Sequence, residues 1–181
     1  WIKTSNFTER WEQFVGKGDS AWSVGRYYST NTLTFTTFAP TPDNLVGTTD
    51  VADGAWHHVA IVYDGAQKKL YVDGVLEAQK AYTQTLNTNN VPVHLGYNAE
   101  FTTAQYGGSM DDVRIYSRAL TAAEVLELSS IGTTPVATIN DPLDGGTYRG
   151  GDTIAFSGSG TDAEDGNLLT SGMSWEVIYH H

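Results

Sequence analysis

Hydrophobic and polar positions alternate along much of this chain with a period of two, the mark of strands buried on one face. The pattern is densest from Gly54 to Glu77, GAWHHVAIVYDGAQKKLYVDGVLE. Asp64-Gly65 and Asp73-Gly74 each lie between β-branched and aromatic residues, a strong short-range hairpin signal. Three consecutive antiparallel strands are predicted there. In the first, His57, Val59, Ile61 and Tyr63 face one way and Trp56, His58, Ala60 and Val62 the other. Neither set is polar throughout, so this strand should be covered on both faces. The second, Leu70-Tyr71-Val72, is short. A doubly covered strand inside a tight meander places the stretch in the middle of a two-sheet sandwich.

The same reading predicts strands over Trp1–Thr4, Trp11–Gly16, Ala21–Tyr28 and Thr32–Phe38. In the last of these, Leu33, Phe35 and Thr37 alternate with Thr34, Thr36 and Phe38. Residues 39–44, with two prolines that cannot continue a ladder, are expected to form a loop, followed by a weaker strand over Leu45–Val51. Thr83–Asn90 reads as loop, Val91–Tyr97 as strand and Ser109–Tyr116 as the closing strand. Between the last two lies an eleven-residue connection, Asn98–Gly108, unusually long unless it serves binding. A short helix then begins at Thr121. Glu124 completes a capping box, Leu120 and Val125 form a hydrophobic staple, and Ser129 to Gly132 end the helix. Beyond the linker Gly132–Pro135, three strands are predicted over Val136–Asn140, Thr153–Ser157 and Met173–Tyr179, the third carrying Trp175.

Three ordered motifs, WHHVAIVYDG, KLYVDGV and GSMDDVRIYSRALTAAEV, resemble the laminin-G-like branch of the concanavalin-A-like jelly rolls, across roughly Trp1 to Leu128. The resemblance implies an all-β antiparallel two-sheet jelly-roll sandwich with one short C-terminal helix. The following stretch, PVATINDPLDGGTYRGGDTIAFSGSGTDAEDG, is similar to the opening half of bacterial immunoglobulin-like or polycystic-kidney-disease-like modules. Two domains are therefore expected, a jelly roll over 1–131 and a partial immunoglobulin-like segment over 132–181. Members of the resembled family have several strands before the equivalent of Trp1. The chain thus reads as an internal piece of a longer secreted bacterial protein. An open sheet edge, or another chain or domain covering it, is expected.

Composition narrows the partners. A formal charge of −11 argues against nucleic acid and anionic membrane surfaces, because phosphate binding needs a basic footprint. The absence of Cys excludes disulfide and thiol chemistry. Hydrophobic residues at 40% and charged ones at 17% suit a folded β protein.

Catalysis is not expected. Retaining glycosidases, which share this scaffold, need two carboxylates on one strand face about 5 Å apart. Glu9 and Glu12 straddle a polar break, Glu124 and Glu127 lie on the helix, and Asp162, Glu164 and Asp165 share a turn. His57 and His58 point to opposite faces and cannot chelate one ion together. The resemblance implies a structural Ca²⁺ at Asp111. Its competing role is acceptance of hydrogen bonds from a neighbouring loop.

A polysaccharide or glycan is the leading partner. Sugar rings dock on exposed aromatics while amides and carboxylates fix their hydroxyls. The chain carries 5 Trp, 10 Tyr and 6 Phe. Asn98, Glu100, Phe101, Gln105 and Tyr106 in the long loop, with Trp11, Tyr27 and Tyr28 from nearby strand ends, form the candidate contact set. The reading is a non-catalytic lectin-like module of a larger secreted or cell-surface protein, such as a polysaccharide-degrading or sugar-oxidising enzyme. An adhesion or spacer module is the alternative.

Overall fold

The alternating stretches become fourteen strands and one helix in a computed structural model that describes residues 1–38, 41–101, 104–130, 136–142, 144–162 and 166–167. In chain order these are β1 (Ile2–Lys3), β2 (Gln13–Gly16), β3 (Trp22–Arg26), β4 (Leu33–Phe38), β5 (Pro42–Val46), β6 (Trp56–His57) and β7 (Val59–Tyr63). Then come β8 (Gln67–Val72), β9 (Val75–Ala81), β10 (His94–Leu95), β11 (Ser109–Met110), α1 (Ala122–Leu128), β12 (Val136–Asp141), β13 (Ser157–Asp162) and β14 (Gly166–Asn167). The chain divides into two compact units, Trp1–Ser130 and Ile131–His181.

In the first unit a five-stranded sheet, β10-β2-β3-β4-β5, faces the three-stranded meander β7-β8-β9 across one hydrophobic core. Phe14, Val24, Leu33, Phe35 and Leu45 contribute from the first sheet, and Leu70 and Val72 from the second. A third small sheet, β11-β1-β6, adds Ile2 to the same core. Only His58 separates β6 from β7. The result is a mostly β sandwich built from three hydrogen-bonded sheets.

Strand β7 is covered on both faces, as its two apolar sets require. Val59, Ile61 and Tyr63 pack on the central core. Ala60 and Val62 pack with Tyr71, Leu120 and the fully buried Val125 of α1. The helix is fixed as its sequence predicts. Thr121 accepts from the Glu124 amide, and the Glu124 carboxylate accepts from the Thr121 backbone. Leu120 and Val125 then bury its first turn.

Between the two layers sits a group the alternation did not reveal. The Lys68 side chain is fully buried, and its ammonium donates to Asp43 Oδ1 at 2.6 Å, Thr37 Oγ1 at 3.0 Å and the Asp43 carbonyl at 2.7 Å. Burial lowers its pKa while the Asp43 carboxylate opposes that shift. The charge is tolerable there because every strand partner it meets offers an oxygen.

Several boundaries differ from expectation, each for a physical reason. Residues 42–44, expected in a loop, begin β5. Pro42 is tolerated because β5 is an edge strand and Pro42 is its first residue. The strands expected over 91–97 and 109–116 shrink to His94–Leu95 and Ser109–Met110, the only stretches that find a ladder partner. Asp112 takes a left-handed backbone conformation (φ 46°), which turns the chain off the line of β11. Val113 to Ser117 carries no strand, and one edge of β7 has no ladder partner among the described residues.

In the second unit, β12 pairs with β13, and β13 with β14, antiparallel throughout. Sequence alternation at Ile154 and Phe156 placed the middle strand at 153–157, whereas the ladder forms over Ser157–Asp162. That segment is rich in Gly and Ser and has no apolar face to read. The strand expected over 173–179, with Trp175, lies outside the described residues. Among the described residues no helix is long and apolar enough to cross a membrane.

Candidate functional site

The face of the five-stranded sheet turned away from the core is polar, which follows from the strand period. With Val24, Leu33, Phe35 and Leu45 pointing inward, Ser23, Thr34, Thr36, Phe38 and Asn44 must point outward. These outward residues floor a groove of about 410 Å³. Gln13 joins that floor, and Trp11, Asp19, Asn98 and Phe101 close its sides. Thr36 donates to Asn44 Oδ1 at 2.8 Å, so the floor presents a pre-oriented amide and hydroxyls.

Two glycines open the groove. A Cβ on Gly25 would lie 2.2 Å from the Glu12 carbonyl oxygen, so only glycine lets β3 approach the bulged start of β2. A Cβ on Gly16 would collide with the Gln13 amide at 1.5 Å. Gln13 thereby lies flat on the sheet. It is 3% exposed, and its Nε2 donor has no hydrogen-bond partner among the described residues. An unpaired buried amide costs about 1–3 kcal/mol.

One end of the groove is aromatic. Trp11 stands edge-on to Tyr27 and Tyr28, with ring centroids 5.5 and 5.7 Å away. Arg10 lies over the Tyr28 ring at 4.4 Å. Trp11 and Tyr28 both hold left-handed backbone angles, φ 59° and 50°, costly for aromatic residues and a feature that concentrates at functional sites. The three aromatics named from the sequence are thus brought together, and Trp11 and Phe101 line the same groove.

The long loop is pinned rather than free. Asn98, 3% exposed, donates to the Asp19 carboxylate and accepts from the Glu100 amide. Glu100 in turn accepts from the backbone of Asp19 at 2.7 Å and Ser20 at 3.3 Å. The Ala104 carbonyl accepts from Gln13 N at 3.1 Å and ties down the far end. Asn98 and Glu100 spend their polar atoms on this clamp, which presents Phe101 at the rim, 45% exposed.

Tyr106 turns the other way. Its ring packs on Phe14 at 4.7 Å, and its hydroxyl accepts from Lys3 N and donates to the Ser109 carbonyl. Burial pushes the phenol up to about 12. Gln105 is exposed and lies outside the groove lining. The floor residues Gln13, Ser23, Thr34, Thr36 and Asn44 were not among the sequence candidates. The alternation of Thr34 and Thr36 against Leu33 and Phe35 was the signal that could have found them.

His57 and His58 are structural. His57 bonds Asp73 at 2.8 Å and Asp53 at 3.2 Å, while His58 lies against the Trp1 ring at 5.3 Å. Among the described residues no three His, Cys, Asp or Glu side chains gather as a metal site. Asp111, where the resemblance implies calcium, lies just after β11 at the start of the turn. Its carboxylate accepts the Asp112 amide, and Asp112 is paired with Arg114 at 2.8 Å.

Comparison with known proteins agrees with the architecture. The model of the laminin G group of the concanavalin A-like lectin/glucanases superfamily matches residues 1–126. A solved "putative carbohydrate binding protein" from Bacteroides ovatus superimposes with a TM-score of 0.59 at 19% identity, over 69% of this chain. The chain spans 38% of that protein's length, and at this identity the likeness concerns the fold alone. An S-layer domain-containing protein from Clostridium thermocellum aligns over 72% of this chain and 67% of its own, at 19% identity and a TM-score of 0.37. No curated protein matches. Through residues 1–126, the chain belongs to the concanavalin A-like lectin/glucanases superfamily, in its laminin G group.

Proposed function

We propose that the first unit is a non-catalytic carbohydrate-binding module that holds a polysaccharide in the groove on the outer face of its five-stranded sheet. The observation that carries this reading is the combination in one groove of aromatic side chains, Trp11 and Phe101, with a floor of hydroxyls and an amide from Ser23, Thr34, Thr36 and Asn44. Aromatic faces take the C–H side of a sugar ring, and the floor takes its hydroxyls. Among the described residues the groove lining holds one carboxylate, Asp19, and that is engaged by Asn98. Glycoside hydrolysis of either stereochemistry generally needs two.

The finer parts of the reading go with it. The module serves as the sugar-holding part of a larger secreted or cell-surface bacterial protein, built as a two-sheet jelly roll and followed by an immunoglobulin-like segment. A structural calcium ion at Asp111, as the family resemblance implies, is part of this reading. A gain in melting temperature with millimolar Ca²⁺ that Asp111→Ala abolishes would establish it, and superimposable curves with Ca²⁺ and with chelator would remove it.

The test is a screen of soluble polysaccharides and a glycan array, followed by titration of Trp11→Ala and Phe101→Ala. Each variant should bind about tenfold more weakly, roughly 1.4 kcal/mol, while Phe101→Ala leaves melting unchanged. A folded protein that ignores every glycan would favour the adhesion or spacer alternative instead.

A further inference from the structure

The chain has no cysteine, so no disulfide joins its two facing sheets. One contact between them is nevertheless placed for a covalent bond. Lys68 of β8 reaches across the core from the meander and meets Asp43 of β5, the edge strand of the five-stranded sheet. The two residues are 25 apart in sequence. Lys68 Nζ lies 2.6 Å from Asp43 Oδ1, so the carboxyl carbon is one bond length beyond the contact. Asp43 shares its face of β5 with the core residue Leu45, away from the glycan groove.

The surroundings keep water from the nitrogen. The Lys68 side chain is fully buried, and the buried rings of Phe35 and Tyr82 flank Nζ with centroids 5.2 and 4.9 Å away. The hydroxyl of Thr37, also fully buried, accepts from Nζ at 3.0 Å. Asp43 is engaged on its other oxygen too, where the Lys80 ammonium donates to Oδ2 at 2.5 Å. Its side chain is 27% exposed, which leaves a small departing group a way out. Burial lowers the Lys68 pKa, with Asp43 opposing. Burial would raise the Asp43 pKa, but the bonds from Lys68 and Lys80 outweigh it and hold the carboxyl low. The resting pair is therefore ionic. Any reaction begins with one proton passing from Nζ to Oδ1 along the contact, and burial favours that step because it removes two charges from the interior.

We propose that Lys68 and Asp43 condense into an amide that ties β8 to β5. The neutral amine attacks the Asp43 carboxyl carbon. The Nζ–Cγ bond forms as an electron pair moves onto Oδ2, where the Lys80 ammonium holds the developing oxyanion. Nitrogen then passes a proton through the Thr37 hydroxyl to the Oδ1 hydroxyl. The Cγ–Oδ1 bond breaks, water leaves by the exposed side of Asp43, and the pair on Oδ2 restores the carbonyl. Of the three protons on the starting ammonium, two depart with Oδ1 and one stays on the amide nitrogen. The step consumes no other reactant. Its rate comes from the fold, since groups held in contact react at effective molarities of about 10⁵–10⁸ M. The product removes a buried charge and fixes an edge strand whose first residue, Pro42, has no N–H to give its neighbour.

The experiment weighs the folded full chain by intact-mass spectrometry after prolonged incubation. The protein should be lighter than its sequence mass by one water. Trypsin should release residues 27–69 as one piece, also lighter by one water and uncut after Lys68, because an acylated lysine is not a cleavage site. Fragmentation of that piece should place the link between Asp43 and Lys68. Lys68→Met and Asp43→Ala should each keep their full sequence mass. A parent protein of full sequence mass, cut after Lys68, would leave an ion pair only and overturn the proposal. So would a loss of water that persists in Asp43→Ala, which would place the dehydration elsewhere in the chain.

Discussion

The meander β7-β8-β9 and the closing segment Ser109 to Ser117 carry equally clear strand patterns, yet they reach different states. The meander forms three full strands, while the closing segment forms a ladder only at Ser109 and Met110. The difference lies in where the partners are. β8 reaches β7 through Asp64-Gly65 and β9 through Asp73-Gly74, and Gly65 and Gly74 supply the left-handed angles those turns require (φ 89° and 77°). Each pairing closes a short loop and costs little entropy. The closing segment must pair with a strand distant in sequence, and it meets only the two residues of β1. Alternation tells which stretches suit a pleated surface. A ladder also needs a neighbour.

The contrast can be broken most sharply in the core. Leu70→Ala in β8, at a fully buried position, should lose about 2–5 kcal/mol in urea unfolding. Ile115→Ala, at 62% exposure, should lose less than about 0.5 kcal/mol. Comparable losses at the two sites would show that the closing segment is packed in solution, and the contrast would collapse.

A smaller effect sharpens the meander's side of it. Burial pulls the His57 pKa down, but hydrogen bonds to Asp73 and Asp53 outweigh it and hold the imidazole above its usual 6.5. A raised folded pKa gives stability that is fully present below 6.5 and is lost as pH rises through the folded value. His58 works in the opposite sense, because burial and then the Trp1 ammonium hold its pKa down. The difference between the parent and His57→Gln therefore carries the test. It should favour the parent in acid and shrink as pH rises. A difference that stays constant with pH would mean that His57 is not held as a charged group between Asp53 and Asp73.

What could be read from the sequence follows the same division. The hairpins, the two-faced β7 and the capped helix were legible because each depends on residues within a few positions of one another. The three strand-end aromatics were legible as a group, since Trp11, Tyr27 and Tyr28 flank strands that pair directly. The groove floor was not. Gln13, Ser23, Thr36 and Asn44 come from four different strands, and only sheet order brings them together. Tyr106 was misleading for the same reason, because its loop position gave no hint that Phe14 and Lys3 wait beneath it. Lys68 was invisible as a buried charge, since its partners Asp43 and Thr37 belong to the opposite layer.

The central claim is that the outer face of the five-stranded sheet holds a glycan, and filling its floor tests that most directly. Thr36→Tyr places a ring in the groove from a strand position that tolerates aromatics, without touching the inward face of β4. With a polysaccharide found by the screen, calorimetric titration should show at least a tenfold loss of affinity, about 1.4 kcal/mol, and an unfolding midpoint close to that of the parent. Undiminished binding by a folded Thr36→Tyr protein would contradict the account and move the sugar to another surface.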